Sequence, residues 1–516
     1  MKSVMTHQFS QAPTADIPRS SFDRSHGYKT TFDAGRLVPV FVDEVLPGDT
    51  FTVRPTMFAR LNTPIYPIMD NMFLDIHFFF VPYRQIWENF RKFCGERASP
   101  AASTDFTIPQ ISFSSNITTG SIWDYMGLPI GGQPSISALP FRAYRHIYNE
   151  WYRDQNIIAE QTVGLSDAAT VIGGNSLPER RGKRHDYFTS CLPWLQKGDA
   201  VDIPLGTSAP VTTDALANVS IGVYSNNASD YITLDTDGSA GGHVQTDEGS
   251  TVPAGNRLFA DLTNATAATI NELRRAFQIQ KLLERDARSG TRYAEIVNAH
   301  FGVQFMDVTY RPEFLGGSST PINISQIPQT SATEAGLTAQ GTLAAYGTAT
   351  IQGGGFTKSF TEHGLVMGIA SVRADLTYQQ GIERFWSRST RYDFYWPALA
   401  HIGEQSVLNQ ELYYQGTSAD TDVFGYQERW AEYRYKPSRI TGLMRSDAAN
   451  SLDAWHLSQD FSALPSLDPT FIEEDPPIDR VVAVTTEPDF LMDCYFDMQC
   501  ARPMPLYSVP GLIDHF

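Results

Sequence analysis

Cysteine is scarce in this chain: four in 516 residues, at Cys94, Cys191, Cys494 and Cys500, with no C-x-x-C pair and no Cys/His spacing of a zinc site. That excludes a disulfide framework and a structural zinc cluster. Nowhere do about 18 apolar residues run together, so no segment reads as a membrane span. The opening residues MKSVMTHQFSQAPTAD lack the apolar core of a signal peptide, and the chain is expected to fold in a reducing cytoplasm. Neither GxxxxGK[ST] nor a GxGxxG after a strand occurs, and GxSxG, HExxH and EF-hand loops are missing too. Basic charge is also short: 39 Lys and Arg against 57 Asp and Glu leave a net charge of −18. A general nucleic-acid-binding surface is therefore excluded, and any such contact needs a local basic patch.

Aromatic residues (12%), 38 Gly and 31 Pro are plentiful, which favours β structure with long loops. The stretch MFLDIHFFFVPY (72–83) shows the pattern most clearly. As a strand its even face, Met72, Leu74, Ile76, Phe78 and Phe80, is wholly apolar. The odd face carries Asp75 and His77 but also Phe79 and Val81, where water is expected. A strand covered on both faces accounts for this, with Phe79 and Val81 under a helix at 83–93 or under an inter-strand insertion. FLMDCYFDM near the C-terminus repeats the pattern, with Phe490, Met492, Cys494, Phe496 and Met498 on one face. Strands at both ends of the chain predict a β-sandwich of jelly-roll type, in which first and last strands pair.

Residues 1–36 read as an extended N-terminal arm. Core strands are expected near 37–82, 363–378, 423–437 and 480–503, with 502–516 as an extended tail. Helical periodicity appears at 83–93, at 269–289 (Thr269 and Glu272 as a capping box, Gly290 as the stop) and at 396–414. In the second of these, Ile270, Leu273, Ala276, Phe277 and Leu283 form the stripe expected to be buried. Two tracts break the pattern. Between Lys197 and Arg257 there is no Lys or Arg, while Asp199, Asp202, Asp214, Asp230, Asp235, Asp237, Asp247 and Glu248 supply acid. The Gly/Ser/Thr-rich residues 316–356 contain a single charge, Glu334. Loops this long in a compact fold are functional or disordered.

No constellation of catalytic residues emerges. His401 and Glu404, Glu362 with His363, and the acidic run Glu473, Glu474, Asp475 and Asp479 lack the further ligands or the geometry that chemistry needs, so no cofactor is expected and a structural divalent cation is not indicated. The best basic patch is PERRGKRHDYF: Arg180, Arg181, Lys183 and Arg184 next to Tyr187 and Phe188. Cations beside rings suit single-stranded nucleic acid, while a solvated loop or subunit contact explains them equally. Arg429, Arg434, Lys436 and Arg439, interleaved with Glu428 and Glu432, read as mutually paired charges. The residues alone favour a building block over an enzyme. A jelly-roll carbohydrate-binding protein or polysaccharide-processing enzyme, using surface aromatics such as Trp396 or Trp430, and a free single-strand-binding module are the other readings.

Several long blocks resemble the major capsid protein of gokushovirus-type phages of the Microviridae. They include IPRSSFDRSHGYKTTFDAGRLVPVFVDEVLPGDTF, PIMDNMFLDIHFFFVPYR, LPERRGKRHDYFTSCLPW, TRYDFYWPALAHIGEQ, FGYQERWAEYRYKPSRITG and CARPMPLYSVPGLIDHF. The likeness runs from about residue 6 to the last and weakens near 203–262 and within 316–356. It implies one eight-stranded antiparallel jelly roll with long insertions, spanning 37–516. Copies would form pentamers and a T=1 icosahedral shell around a circular single-stranded DNA genome, assembled in the bacterial cytoplasm and carried in the virion. The implied partners are a small basic DNA-binding protein, an internal scaffolding protein, a pilot protein and a host-cell receptor, with no membrane insertion. One insertion would form a protrusion at the three-fold axes that serves host attachment. The acidic tract 203–262, with Asp214, Asp230, Asp235, Asp237, Asp247 and Glu248, is the first candidate and 316–356 the second. The patch at Arg180–Arg184 belongs to a matching block that does not fix which surface it faces: inward it would meet DNA or an internal protein, sideways it would hold subunits together. Leu512, Ile513 and Phe516 of the tail would dock on a neighbouring subunit.

Overall fold

The computed structural model describes residues 18–201, 211–213, 222–225, 230–236, 244–251, 258–260, 270–304, 306–331 and 340–507. Two antiparallel sheets form the centre. The first has seven strands, ordered Ser20–Asp23, Phe490–Arg502, Thr50–Leu61, Leu343–Gln352, Asn323–Pro328, with His26–Phe32 also on Phe490–Arg502 and Phe356–Ser359 also on Thr50–Leu61. The second has four, ordered Glu313–Pro321, Met72–Pro82, Gly364–Ala374, Val38–Val45. Alternation decides which side chains meet between them. Met72, Leu74, Ile76, Phe78 and Phe80 from one sheet share a buried cluster with Met57, Phe490, Cys494, Phe496 and Met498 from the other. Phe41 packs edge-on against both Phe78 (5.9 Å) and Phe496 (5.2 Å), so rings of the two sheets interlock.

The other face of Met72–Pro82 is covered as well. Phe79 and Val81 are buried in a second cluster with Trp87, Trp123, Phe141, Tyr144 and Tyr148 from the segment that follows the strand. Gly364–Ala374, GLVMGIASVRA, lies beside it and is buried along its whole length, with Leu365, Met367 and Ile369 in this second cluster and Val366, Ala370 and Val372 in the first. A strand with apolar neighbours on both faces loses the polar alternation of a surface strand, and the sequence shows that directly. The outer face of the seven-stranded sheet is different: Phe58, Leu491 and Tyr495 there are about half exposed.

The chain divides into two compact units, Met1–Leu195 with Gly290–Phe516, and Gln196–Ser289. The second unit holds the antiparallel strands Gly222–Ser225, Asp230–Thr236 and Val244–Thr251, a pair formed by Val211–Thr213 and Leu258–Ala260, and the helix Ile270–Ser289. This helix ends where expected, with Gly290 at φ +100° just beyond it, a conformation that suits glycine. Thr269 of the expected capping box lies outside the described residues.

Four expectations change. The 83–93 helix is two short turns, Tyr83–Ile86 and Phe90–Phe93, because Trp87 leaves helical geometry. No long helix forms at 396–414; the strand Glu404–Leu408 runs there into the turn Asn409–Leu412. Val423–Glu428 pairs with Glu404–Leu408 in a sheet of its own and adds nothing to the sandwich. The stripe on Ile270–Ser289 is not buried: Ile270 and Phe277 are exposed, and Ala287 is the residue of that helix that is buried.

The Gly/Ser tract 316–356 is a further correction, since most of it is sheet. Glu313–Pro321 pairs along Met72–Pro82, and Leu343–Gln352 along Thr50–Leu61. Its glycines let backbones approach closely. A Cβ on Gly317 would stand 2.5 Å from the Ile76 carbonyl oxygen, and one on Gly355 would stand 1.8 Å from that of Val53. Within the N-terminal arm, Ser20–Asp23 and His26–Phe32 are likewise strands, registered along Phe490–Arg502.

Candidate assembly and nucleic-acid interfaces

The segment around Arg180–Arg184 is fixed by backbone hydrogen bonds to two distant parts of the chain. Arg181 N–H donates to the Gly35 carbonyl (2.9 Å), Glu474 N–H to the Arg181 carbonyl (2.8 Å) and Lys183 N–H to the Ile472 carbonyl (2.8 Å). Gly35, at φ +75°, is where these segments cross, and a Cβ there would stand 1.9 Å from the Glu474 carbonyl oxygen. No larger residue fits that crossing.

Pinned in this way, the segment turns its cations inward. The Arg181 guanidinium donates to Asp75 Oδ2 (2.7 Å) and to Ser371 Oγ (2.8 Å), and Arg373 donates to the same Asp75 oxygen (3.0 Å). Asp75 and Arg373 belong to the covered four-stranded sheet, and both are buried. Burial pushes the Asp75 carboxyl up, but the Ser319 hydroxyl and the two guanidiniums outweigh it and hold the group below the usual carboxylate range. Its neighbour His77 shares Nδ1 with the Tyr152 hydroxyl (2.8 Å), and burial lowers its pKa.

Arg180 meets the Glu474 carbonyl (3.0 Å) and Asp475 (2.8 Å). Lys183 is buried, donates from Nζ to the Phe471 carbonyl (2.7 Å) and lies over that residue's ring. Burial pulls its ammonium below the ordinary lysine range, against the opposing pull of Glu474. The Tyr187 hydroxyl donates to Glu411 (2.9 Å), and Phe188 packs on Tyr378 at 4.9 Å. Both rings are 4% exposed, in a third buried cluster with Phe424 and Phe471. Arg184 is the one cation of the four that keeps a mostly exposed side chain, 61%, with Asp375 3.6 Å away. The patch read as a nucleic-acid contact is thus mainly an internal tie. The reason is stoichiometric: Asp75 and the carbonyls of 471–474 are buried acceptors, and these cations satisfy them.

Of the acidic residues proposed for the protrusion, Asp230, Asp235, Asp247 and Glu248 stand in strands of the Gln196–Ser289 unit. Asp214, Asp237 and the tail residues Leu512, Ile513 and Phe516 lie outside the described residues. No group of three or more His, Cys, Asp or Glu side chains that could hold a metal occurs among the described residues. Nor is any described helix long and apolar enough to cross a membrane.

Of the two surface aromatics named from the sequence, Trp396 is exposed but Trp430 is buried, and the wider exposed surface around Trp396 was missed. The aromatics of RFWSRSTRYDFYW (384–396) follow neither a 3.6 nor a 2 period, so periodicity gives no signal there. In the structure these residues form short 3-10 turns, Arg384–Ser387 and Arg391–Asp393, and their rings stay exposed. Tyr433 and Tyr435 lie beside them.

Comparison with known proteins places this layered sandwich in a family. Residues 10–512 match the family described as capsid protein (F protein). The chain is 44% identical to capsid protein VP1 of Bdellovibrio phage phiMH2K, over 99% of this chain and 98% of the relative. It is 44% identical to capsid protein VP1 of Chlamydia phage 1 over the same shares, and 37% identical to that of Spiroplasma virus 4 over 98% and 97%. Similarity of that length and level makes the chain a structural protein of the phage virion, not an enzyme: it belongs to the capsid protein (F protein) family.

Proposed function

We propose that this chain is the repeating subunit of an icosahedral shell enclosing single-stranded DNA, and that its sandwich is a jelly roll of eight strands with three additions. The eight, in chain order, are His26–Phe32, Val38–Val45, Thr50–Leu61, Met72–Pro82, Glu313–Pro321, Leu343–Gln352, Gly364–Ala374 and Phe490–Arg502. The observation that carries this reading is the strand order. The first sheet runs first, eighth, third, sixth, and the second runs fifth, fourth, seventh, second. That order follows from rolling one long antiparallel ribbon into two Greek keys. Ser20–Asp23, Asn323–Pro328 and Phe356–Ser359 are the additions. Two insertions interrupt the roll, at 83–312 after the fourth strand and at 375–489 after the seventh. Expression of the chain should yield closed particles by electron microscopy. A protein that stays monomeric at all salt concentrations would refute the reading.

The acidic unit Gln196–Ser289, a compact body of its own, is the proposed protrusion for host attachment. An outward position suits a stretch with eight acids and no base between Lys197 and Arg257, since it keeps like charge away from the genome. Removing 210–255 should leave shells intact and reduce adsorption to host cells; loss of shells would refute a peripheral role. The small basic DNA-binding protein, the internal scaffolding protein, the pilot protein and a host receptor are the further proposed partners. Docking of Leu512, Ile513 and Phe516 on a neighbour predicts that truncation of GLIDHF impairs assembly. For DNA contact, Arg184 is the Lys or Arg of the 180–188 segment that an external phosphate reaches most readily, given its 61% exposure, with exposed His185 beside it.

A further inference from the structure

Eight large aromatic side chains crowd one region: the six of residues 385–396, with Tyr433 and Tyr435, each between 44% and 71% exposed. An aromatic side chain buries roughly 150–250 Å² when covered, so eight at about half exposure offer on the order of 800 Å². That is the share one partner gives to an interface of ordinary size, about 800 Å². Isolated exposed rings need no explanation, but an apolar concentration of this size marks an interaction surface.

The arrangement is also rigid before any partner arrives. Arg388 stacks over Tyr433 (4.5 Å), Arg391 over Trp396 (5.1 Å) and Arg429 over Trp430 (4.3 Å). Trp430, almost fully buried beneath Tyr395 and Tyr433, holds φ +70°, a conformation that a bulky side chain rarely adopts. Its amide N–H donates to Gln405 (3.2 Å) and its indole N–H to the Leu399 carbonyl (3.0 Å), which keep it there. A backbone constrained to support exposed rings belongs to a binding surface. Between Phe385, Tyr433 and Tyr435 lies a recess of about 240 Å³, of side-chain size.

Charge selects the partner. Arg388 pairs with Glu432, Arg434 with Glu428, and Lys436 and Arg439 with Glu383. Arg384 pairs with Glu411, while Lys436 and Arg439 share one carboxylate and Arg391 and Arg429 lie over rings. Most of the cation charge is thus met within the surface, and its field for a phosphate chain is weaker than that of an unpaired basic row. Tyr, Trp and Arg with largely self-paired charges are the composition of the energetic centre of protein–protein interfaces. We infer that this surface, on the segments 384–396 and 429–439, is a contact between subunits, covered by a second copy of this chain. The inference rests on the proposed shell-forming role and assigns the contact a location.

The test uses the full chain with Trp386→Ala and, separately, Tyr392→Ala. Both rings are about 70% exposed, so truncation leaves no interior cavity. Tyr495→Ala, on the open outer face of the seven-stranded sheet, is the control. Both test variants should keep the wild-type unfolding temperature as protomers yet need at least about ten-fold more protein to form particles, since a central interface aromatic is worth more than ~1.4 kcal/mol. Trp386→Phe should recover most of the assembly, and the control should assemble as wild type. Wild-type assembly by both variants would overturn the inference. So would normal shells with reduced nucleic-acid content, which would give the surface to the genome. Failure of the unmodified chain to assemble would count instead against the shell-forming role itself.

Discussion

Truncating Asp75 to alanine is the sharpest test of how the insertions are tied to the sandwich. The carboxylate is 4% exposed and takes guanidinium hydrogen bonds from Arg181 at 2.7 Å and Arg373 at 3.0 Å. Removing one partner of a buried ion pair leaves the other charge without compensation, a loss of about 3–5 kcal/mol. Here two cations would be left. At roughly 2 °C per kcal/mol for a large domain, the unassembled protomer should unfold about 6–10 °C lower. Amide exchange should quicken first in Met72–Pro82 and Gly364–Ala374, the strands that carry Asp75 and Arg373. Arg181→Ala should cost less, because Arg373 would still neutralise Asp75. Replacing all three by Leu and Met should recover most of the loss, as for other buried ion triads. The folded-state pKa of Asp75 is lowered, so its contribution is present above the unfolded carboxylate range, ~3.9, and disappears as pH falls through the folded value. A shift below about 1 °C for Asp75→Ala, or a triple replacement no better than the single one, would refute the account.

Phe79→Ala should cost about 3–5 kcal/mol by opening a cavity between the four-stranded sheet and the insertion above it, measured as a fall in denaturation midpoint. A loss under ~1 kcal/mol would mean that the second cluster is not packed. Burial, with Asp33, Asp479 and Asp475 nearby, pushes the Asp489 carboxyl up to about 6 against the opposing hydrogen bond from the Ala34 amide. Raised above its unfolded value, this group favours the fold below pH ~4 and loses that contribution as pH rises through 6, by about 1–2 kcal/mol after solvent screening. Asp489→Asn should flatten stability between those pH values, and an unchanged slope would count against the assignment. Lys183→Met should be tolerated far better than Lys183→Ala, because Nζ and stem fill a buried slot over Phe471; equal losses in thermal melts would contradict that.

Much of the sandwich was legible in the sequence because strand alternation reports burial one residue at a time. The even faces of MFLDIHFFFVPY and FLMDCYFDM turned out to be the two walls of the core, and the misplaced Phe79 and Val81 signalled a second layer before any coordinate did. The stop at Gly290 was likewise local, set by a backbone conformation that few residues adopt. The Gly/Ser-rich strands Glu313–Pro321 and Leu343–Gln352 were hidden, since their side chains bury little and their fit depends on how near Ile76 and Leu61 come. The fate of the basic patch was hidden for a related reason. Arg181 and Asp75 are 106 residues apart, and nothing in either neighbourhood says that they pair. The sequence by itself determined the two strands that wall the core, the doubly covered centre and the family. Only the tertiary structure decided which charges are internal and which aromatics remain uncovered, because burial of a charge or ring depends on partners brought from far along the chain.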